Sequence, residues 1–99
     1  MSEALRRREI FENLEKYLTK IKQTVEAVDQ KAEIYLFGSV AEGTHTYSSD
    51  IDILVVTRIE PAAIHAELWK AGITTPFEIH VQPPEKAKQY LSNTKAKRI

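Results

Sequence analysis

The stretch that decides the fold is LFGSVAEGTHTYSSDIDILVV, residues 36–56. It starts inside an apolar segment, 32–37, that stops at Gly38, and it ends in a second segment, 50–57, that is β-branched and apolar after an acidic start. Short segments that are apolar on both faces are typical of buried strands. The residues between them, 38–49, are rich in Gly, Ser and Thr, which predicts a loop with room for one short helical turn. The stretch therefore predicts two inner strands joined by a polar loop.

The segment before these strands has the pattern of one amphipathic helix. It contains neither Gly nor Pro from residue 3 to about residue 30, and its apolar residues recur every three or four positions. Such a helix would be about 40 Å long, whereas a domain of this size has a radius of gyration of about 13 Å. Either the helix breaks, or part of its apolar stripe, with Leu5, Ile10 and Leu14, extends past the core. An uncovered stripe would predict self-association into a homo-oligomer or docking of a helical partner.

Three further elements follow the second strand. Pro61 is placed to start a helix of about three turns that Gly72 closes. Residues 77–81 alternate apolar and polar side chains, which predicts a third strand. A last helix over about 85–93 precedes a basic tail, 95–98.

The fold class predicted from this order is α/β (α+β), with a small mixed sheet of about three or more strands flanked by helices. The third strand follows a helix, so it either runs parallel to the second strand or returns antiparallel to it. We expect a single domain over 1–99. Its parts would be an N-terminal helix (1–30), a catalytic core (32–82) and a C-terminal helix with the basic tail (83–99).

Composition excludes several classes of function. The chain has 14 basic and 14 acidic residues, which argues against nucleic acid as the main partner. It has no cysteine, which excludes a disulfide scaffold and thiolate chemistry and favours a cytoplasmic location. The longest apolar run is 53–56, so we expect no membrane span, and the arginines at 6–8 are not followed by the apolar stretch of a signal peptide.

The charges are unevenly distributed along the chain. The net charge is +1 over 1–31, −5 over 32–82 and +4 over 83–99. An acidic centre repels phosphates unless a cation intervenes, so a divalent metal ion is the first partner expected. The alternative is an uneven solvated surface.

Asp50 and Asp52 are the first candidates for metal ligands. They are two positions apart in a strand, so their side chains leave the same face about 6.5 Å apart. Two close carboxylates need a cation, and the segment 32–82 offers only Arg58 and Lys70. Carboxylate oxygens suit Mg²⁺, and clustered carboxylates suit two ions. The alternatives are a turn residue for Asp50 and a buried salt bridge for Asp52.

Gly38 and Ser39 are candidates for a phosphate cradle. Glycine lets a phosphate approach backbone N–H groups, and the serine hydroxyl adds a donor. An ordinary turn from strand to loop is the alternative.

Glu78, on the third strand, is the candidate third carboxylate if that strand neighbours the second. The alternative is a solvent-facing polar residue. His80 shares its face and is either a proton acceptor or a surface histidine. His45 in the loop contacts nucleotide or nothing, and His65 lies on a helix.

The stretch 36–56 resembles the signature of the DNA polymerase β-type nucleotidyltransferase superfamily: a strand, Gly-Ser, a polar loop and Asp-x-Asp at the start of a strand. The short chain and the preceding helix make it most similar to the minimal nucleotidyltransferases (MNT), the antitoxin halves of HEPN–MNT toxin–antitoxin pairs. The resemblance implies a nucleotidyltransferase fold in which Gly38 and Ser39 hold the triphosphate. It implies two Mg²⁺ ions, with Mn²⁺ as the alternative, on Asp50, Asp52 and Glu78.

The function implied is transfer of AMP, or another nucleoside monophosphate, from ATP or another nucleoside triphosphate. The acceptor would be a hydroxyl, a tyrosine of a HEPN toxin partner. Minimal members often carry arginine where Glu42 stands, which favours an alternative: a catalytically weak nucleotide-binding module that neutralises or scaffolds a HEPN partner by contact. A sugar-nucleotide Asp-x-Asp site is disfavoured by the chain's size and by the upstream Gly-Ser.

Overall fold

A computed structural model describes residues 2–92 and 95–99 as a mixed sheet flanked by helices. Within these residues the helices are α1 (Glu3–Glu12), α2 (Leu14–Val28), α3 (Gly38–Glu42), α4 (Pro61–Lys70) and α5 (Pro84–Ser92), and the strands are β1 (Glu33–Phe37), β2 (Ile51–Val56), β3 (Phe77–Gln82) and β4 (Lys97–Arg98). The predicted fold class is confirmed. The short helical turn after the first strand is α3.

The sheet has the strand order β3-β2-β1-β4. β1 pairs antiparallel with β2, and β2 pairs parallel with β3. Of the two directions that the sequence left open for the third strand, the structure therefore has the parallel one, with α4 in the crossover. The predicted last helix ends at Ser92, and its expected final residue, 93, lies outside the described residues.

β4 was not predicted. It lies in the basic tail, where Lys97 and Arg98 pair with Leu36 and Tyr35 at the open edge of β1. Both of its residues are exposed, so this strand leaves no apolar alternation in the sequence.

The long N-terminal helix breaks at Asn13, which has φ −119° and ψ 31°. Its side-chain amide donates a hydrogen bond to Glu9 O at 2.9 Å, and such bonds compete with continued helix. The break folds the stripe back onto the molecule. Ile10 is 2% exposed and Leu14 packs against the core, so the expected overhang is wrong for both, while Leu5 is 58% exposed.

The sheet has two unequal faces. The larger core lies between one face and helices α2 and α4, with Ile53 and Val55 of β2 fully buried. The opposite face carries Leu54 and Val56 under α5. Because side chains alternate along a strand, Asp52 lies on this second face. The site is therefore positioned on the α5 side of the sheet.

No helix in the described part of the chain has both the length and the apolar character needed to cross a membrane.

Candidate active site

The candidate site lies where β1 ends and where β2 and β3 begin. The register pairs Asp52 with Phe37 on one side and with Glu78 on the other. Asp52 and Glu78, two of the three predicted carboxylates, are thus brought side by side. The parallel pairing of β2 with β3 is the feature that brings them together.

His80 joins these two carboxylates. Its Nε2 lies 3.7 Å from Asp52 Oδ1 and 3.5 Å from Glu78 Oε1. One donor atom from each of the three residues lies within 4.8 Å of the others. Carboxylate oxygens and imidazole nitrogen are ordinary ligands of divalent metal ions, so the residues present fit a divalent ion.

Asp52 shows the electrostatic character of the site. Its side chain is 25% exposed, and burial raises the pKa of Asp52 above its usual range. The charge of Glu78 raises this pKa further, while His80 acts in the opposite direction. Desolvation and like charge both penalise the ionised carboxylate. A bound cation would relieve both costs.

Asp50 is placed differently from Asp52. Its side chain is 55% exposed and it is not one of the three clustered residues; Arg7 Nη2 lies 3.8 Å from its Oδ1. Arg7 also donates hydrogen bonds to Ser49 O at 3.0 Å and to Tyr47 O at 3.5 Å. Arg7 of α1 therefore binds the loop before β2 through an ion pair and hydrogen bonds. Reasoning from the segment 32–82 missed it because the arginine is far away in sequence.

Gly38 lies directly beside Asp52. Its φ is +75°, and a Cβ built on it would overlap the Asp52 carboxylate. Glycine is thus required here by a carboxylate as well as by the backbone angle. Ser39 follows as the second residue of α3 and is half-buried.

The two other histidines lie elsewhere. His45 stacks on Phe11 of α1, with ring centroids 5.3 Å apart, so it packs the loop against the helix. His65 is exposed on α4. The sequence argument left His80 as an ordinary surface histidine or a proton acceptor. The only sequence signal for its place in the cluster with Asp52 and Glu78 was its position two residues after Glu78, on the same face of the strand.

Carboxylates on adjacent strands beside a Gly-Ser turn are suited to metal-assisted transfer at a phosphate. The fold and the site therefore indicate a phosphate-transferring enzyme as the class of protein. A family model described as "Nucleotidyltransferase domain" matches residues 14–98. The chain belongs to the nucleotidyltransferase domain family, and the predicted superfamily is confirmed.

A solved structure supports the same assignment. The chain is similar to a protein described as a "putative nucleotidyltransferase", with 28% sequence identity and a TM-score of 0.68. The match covers 83% of this chain and 96% of the other. The comparison with curated proteins found no match.

Proposed function

We propose that this nucleotidyltransferase domain transfers a nucleoside monophosphate, most simply AMP from ATP, to a hydroxyl group and releases pyrophosphate. The observation that carries the proposal is the pairing of Asp52 with Glu78 across β2 and β3, directly beside Gly38. The family assignment supports nucleotidyl transfer in general.

Each candidate residue has a role in this proposal. Gly38 and Ser39 hold the triphosphate at the start of α3. Asp50, Asp52 and Glu78 would hold two divalent ions, Mg²⁺ in the simplest case. Metal ions bound there would lower the pKa of the acceptor hydroxyl and neutralise phosphate charge. The side chains then act mainly by positioning the reacting groups.

The reaction exchanges the phosphoanhydride bond between the α- and β-phosphates for a phosphoester bond to the acceptor. The acceptor oxygen forms a bond to the α-phosphorus, and the bond from that phosphorus to the oxygen bridging to the β-phosphate breaks. The electron pair leaves with pyrophosphate, and the hydroxyl proton passes to solvent.

The proposed acceptor is a tyrosine hydroxyl of a HEPN-family toxin, which would make this chain an antitoxin. The proposal rests on the resemblance to minimal nucleotidyltransferases.

A second candidate function is neutralisation of the partner by contact alone. Glu42 favours it, because it is exposed at the end of α3 where minimal members often carry a cation. A carboxylate there repels a triphosphate.

The two functions are separated by incubating the chain with ATP labelled at the α-phosphate, Mg²⁺ and a HEPN protein encoded beside it. We expect label on the partner, lost in Asp52→Ala and in Glu78→Ala while partner binding persists. Glu67→Gln on α4 is the matched control, since this glutamate lies away from the site and pairs with Lys70 on its own helix, and it should retain transfer. If the wild type silences the partner without transferring label, neutralisation by contact is the function.

A further inference from the structure

We propose that His80 coordinates the metal ion through Nε2, together with Asp52 and Glu78, and that this nitrogen ligand makes the site select Mn²⁺ over Mg²⁺. The inference rests on the proposed function, because it concerns the same metal site. It adds a ligand outside the predicted set of three carboxylates, and with it a choice of metal.

The spacing of the donor atoms suits a shared ion. Two ligand atoms that each lie about 2.1 Å from one ion are about 3.0 to 3.5 Å apart. His80 Nε2 lies 3.5 Å from Glu78 Oε1 and 3.7 Å from Asp52 Oδ1. Both separations exceed an ordinary N–H···O hydrogen bond. All three donor atoms lie within 4.8 Å of one another.

The fold determines where the imidazole lies. Glu78 and His80 are two positions apart on β3, so they share one face, and the parallel register sets Asp52 opposite Glu78. The His80 ring packs at an edge against Phe37, with centroids 5.2 Å apart, and lies 6.0 Å from the Tyr90 ring. Aromatic neighbours from β1 and α5 therefore hold the ring with Nε2 toward the carboxylates.

The chemistry of the donor set leads to the choice of metal. Mg²⁺ takes oxygen ligands, whereas Mn²⁺ accepts oxygen ligands and, as a first-row transition metal, also binds in sites that combine nitrogen and oxygen ligands. The His80 side chain is 28% exposed, so an ion from solvent can reach its imidazole. A site with one imidazole and two carboxylates should therefore favour Mn²⁺ over Mg²⁺ more strongly than a site of carboxylates alone.

The first test is electron spin echo envelope modulation of Mn²⁺ bound to the untagged chain. The chain has three histidines, so the double variant His45→Asn, His65→Asn leaves His80 alone without altering the site. We expect a nitrogen coupling in the wild type and in this double variant, and a change in the modulation when histidine is labelled with ¹⁵N. Absence of nitrogen coupling from Mn²⁺ bound at the site overturns the proposal.

Asp52→Asn separates this inference from the proposed function. If Asp52→Asn abolishes Mn²⁺ binding but the wild type shows no nitrogen coupling, the carboxylate site stands and the role of His80 is wrong. If Asp52→Asn leaves Mn²⁺ binding unchanged, both are wrong, and if the wild type binds no Mn²⁺, the inference is wrong.

The second test compares two metals. We expect His80→Asn to weaken Mn²⁺ binding at least about tenfold, measured from the electron paramagnetic resonance signal of free Mn²⁺. Mg²⁺ binding, measured by its competition with Mn²⁺, should weaken much less. Equal losses for the two metals would contradict the claim of selectivity. Circular dichroism of His80→Asn checks its folding, and the double variant keeps the first test valid if this variant unfolds.

Discussion

At the scale of single residues, Gly38 combines a positive φ with a close approach to the Asp52 carboxylate. A positive φ costs a residue with a Cβ roughly 1–2 kcal/mol, and Gly38 shares such an angle with Gly72, at +84°. The two glycines differ in surroundings. A Cβ at Gly38 meets the Asp52 carboxylate, whereas one at Gly72 meets nothing within 4 Å.

We expect Gly38→Ala and Gly72→Ala to destabilise the fold similarly, by roughly 1–2 kcal/mol, while only Gly38→Ala loses metal binding. The reason is that the added methyl group displaces the Asp52 side chain from its position opposite Glu78. Chemical denaturation measures the first effect and Mn²⁺ titration the second. Normal Mn²⁺ affinity in a folded Gly38→Ala protein would show that Asp52 adapts without loss of the site.

At the scale of elements, one hydroxyl joins the end of α2 to the end of β2. Thr57 is 4% exposed. Its Oγ1 donates to Asp29 Oδ2 at 2.6 Å and accepts from the Ile59 N–H at 3.2 Å. The bond from Thr57, and a second from the Lys31 N–H, lower the pKa of Asp29. This connection ties the core helix to the central strand at the end opposite the site.

We expect Thr57→Val to lower the free energy of unfolding by about 1 kcal/mol at neutral pH. Because the folded pKa of Asp29 lies below its unfolded value of about 3.9, the stabilisation is present above about pH 4 and is lost as the pH falls through the folded pKa. The difference between the variant and the wild type should therefore shrink in acid. Urea unfolding from pH 3 to pH 7 measures it.

The control for this prediction is Thr57→Ser, which keeps the hydroxyl and should keep the acid dependence of the wild type. A Thr57→Val protein whose deficit is the same at every pH would show that the methyl-for-hydroxyl exchange acts through packing alone.

At the scale of the whole molecule, α1 is part of the fold and borders the site. Ile10 is buried in the main core. Arg6 donates hydrogen bonds to Thr75 O and Thr74 Oγ1 before β3, and Arg7 donates to Ser49 O before β2. The helix thus contacts both loops that lead into the strands of the site. The radius of gyration of 13.1 Å reflects this return of the helix.

We expect Ile10→Ala to cost about 2 to 5 kcal/mol of stability, because it leaves a cavity between α1 and the core. Leu5→Ala, at a 58% exposed position of the same helix, should stay within about 0.5 kcal/mol of the wild type. Thermal or urea unfolding compares the two. Equal, small effects would mean that α1 is not anchored as described and that the apolar stripe is free for a partner.

Local sequence determined the strands around residues 36–56, the turn at Gly38 and the face shared by Glu78 and His80. The physical reason is that side-chain alternation and glycine's φ freedom act over a few residues. The predicted strand, turn and strand followed from these local effects alone, and so did the choice of Asp52 as a candidate ligand.

Only the tertiary structure decided the direction of β3, the pairing of β4 and the approach of Arg7 to Asp50. These depend on contacts between segments that are distant in sequence, where packing and register decide among arrangements that are locally equivalent. The tertiary structure also decided the break at Asn13. The helical periodicity of the sequence continues through this residue, and the break is favoured because it lets Ile10 be buried in the core. The Asp52, Glu78 and His80 cluster exists because the crossover through α4 returns β3 parallel to β2, and no local pattern specifies that direction.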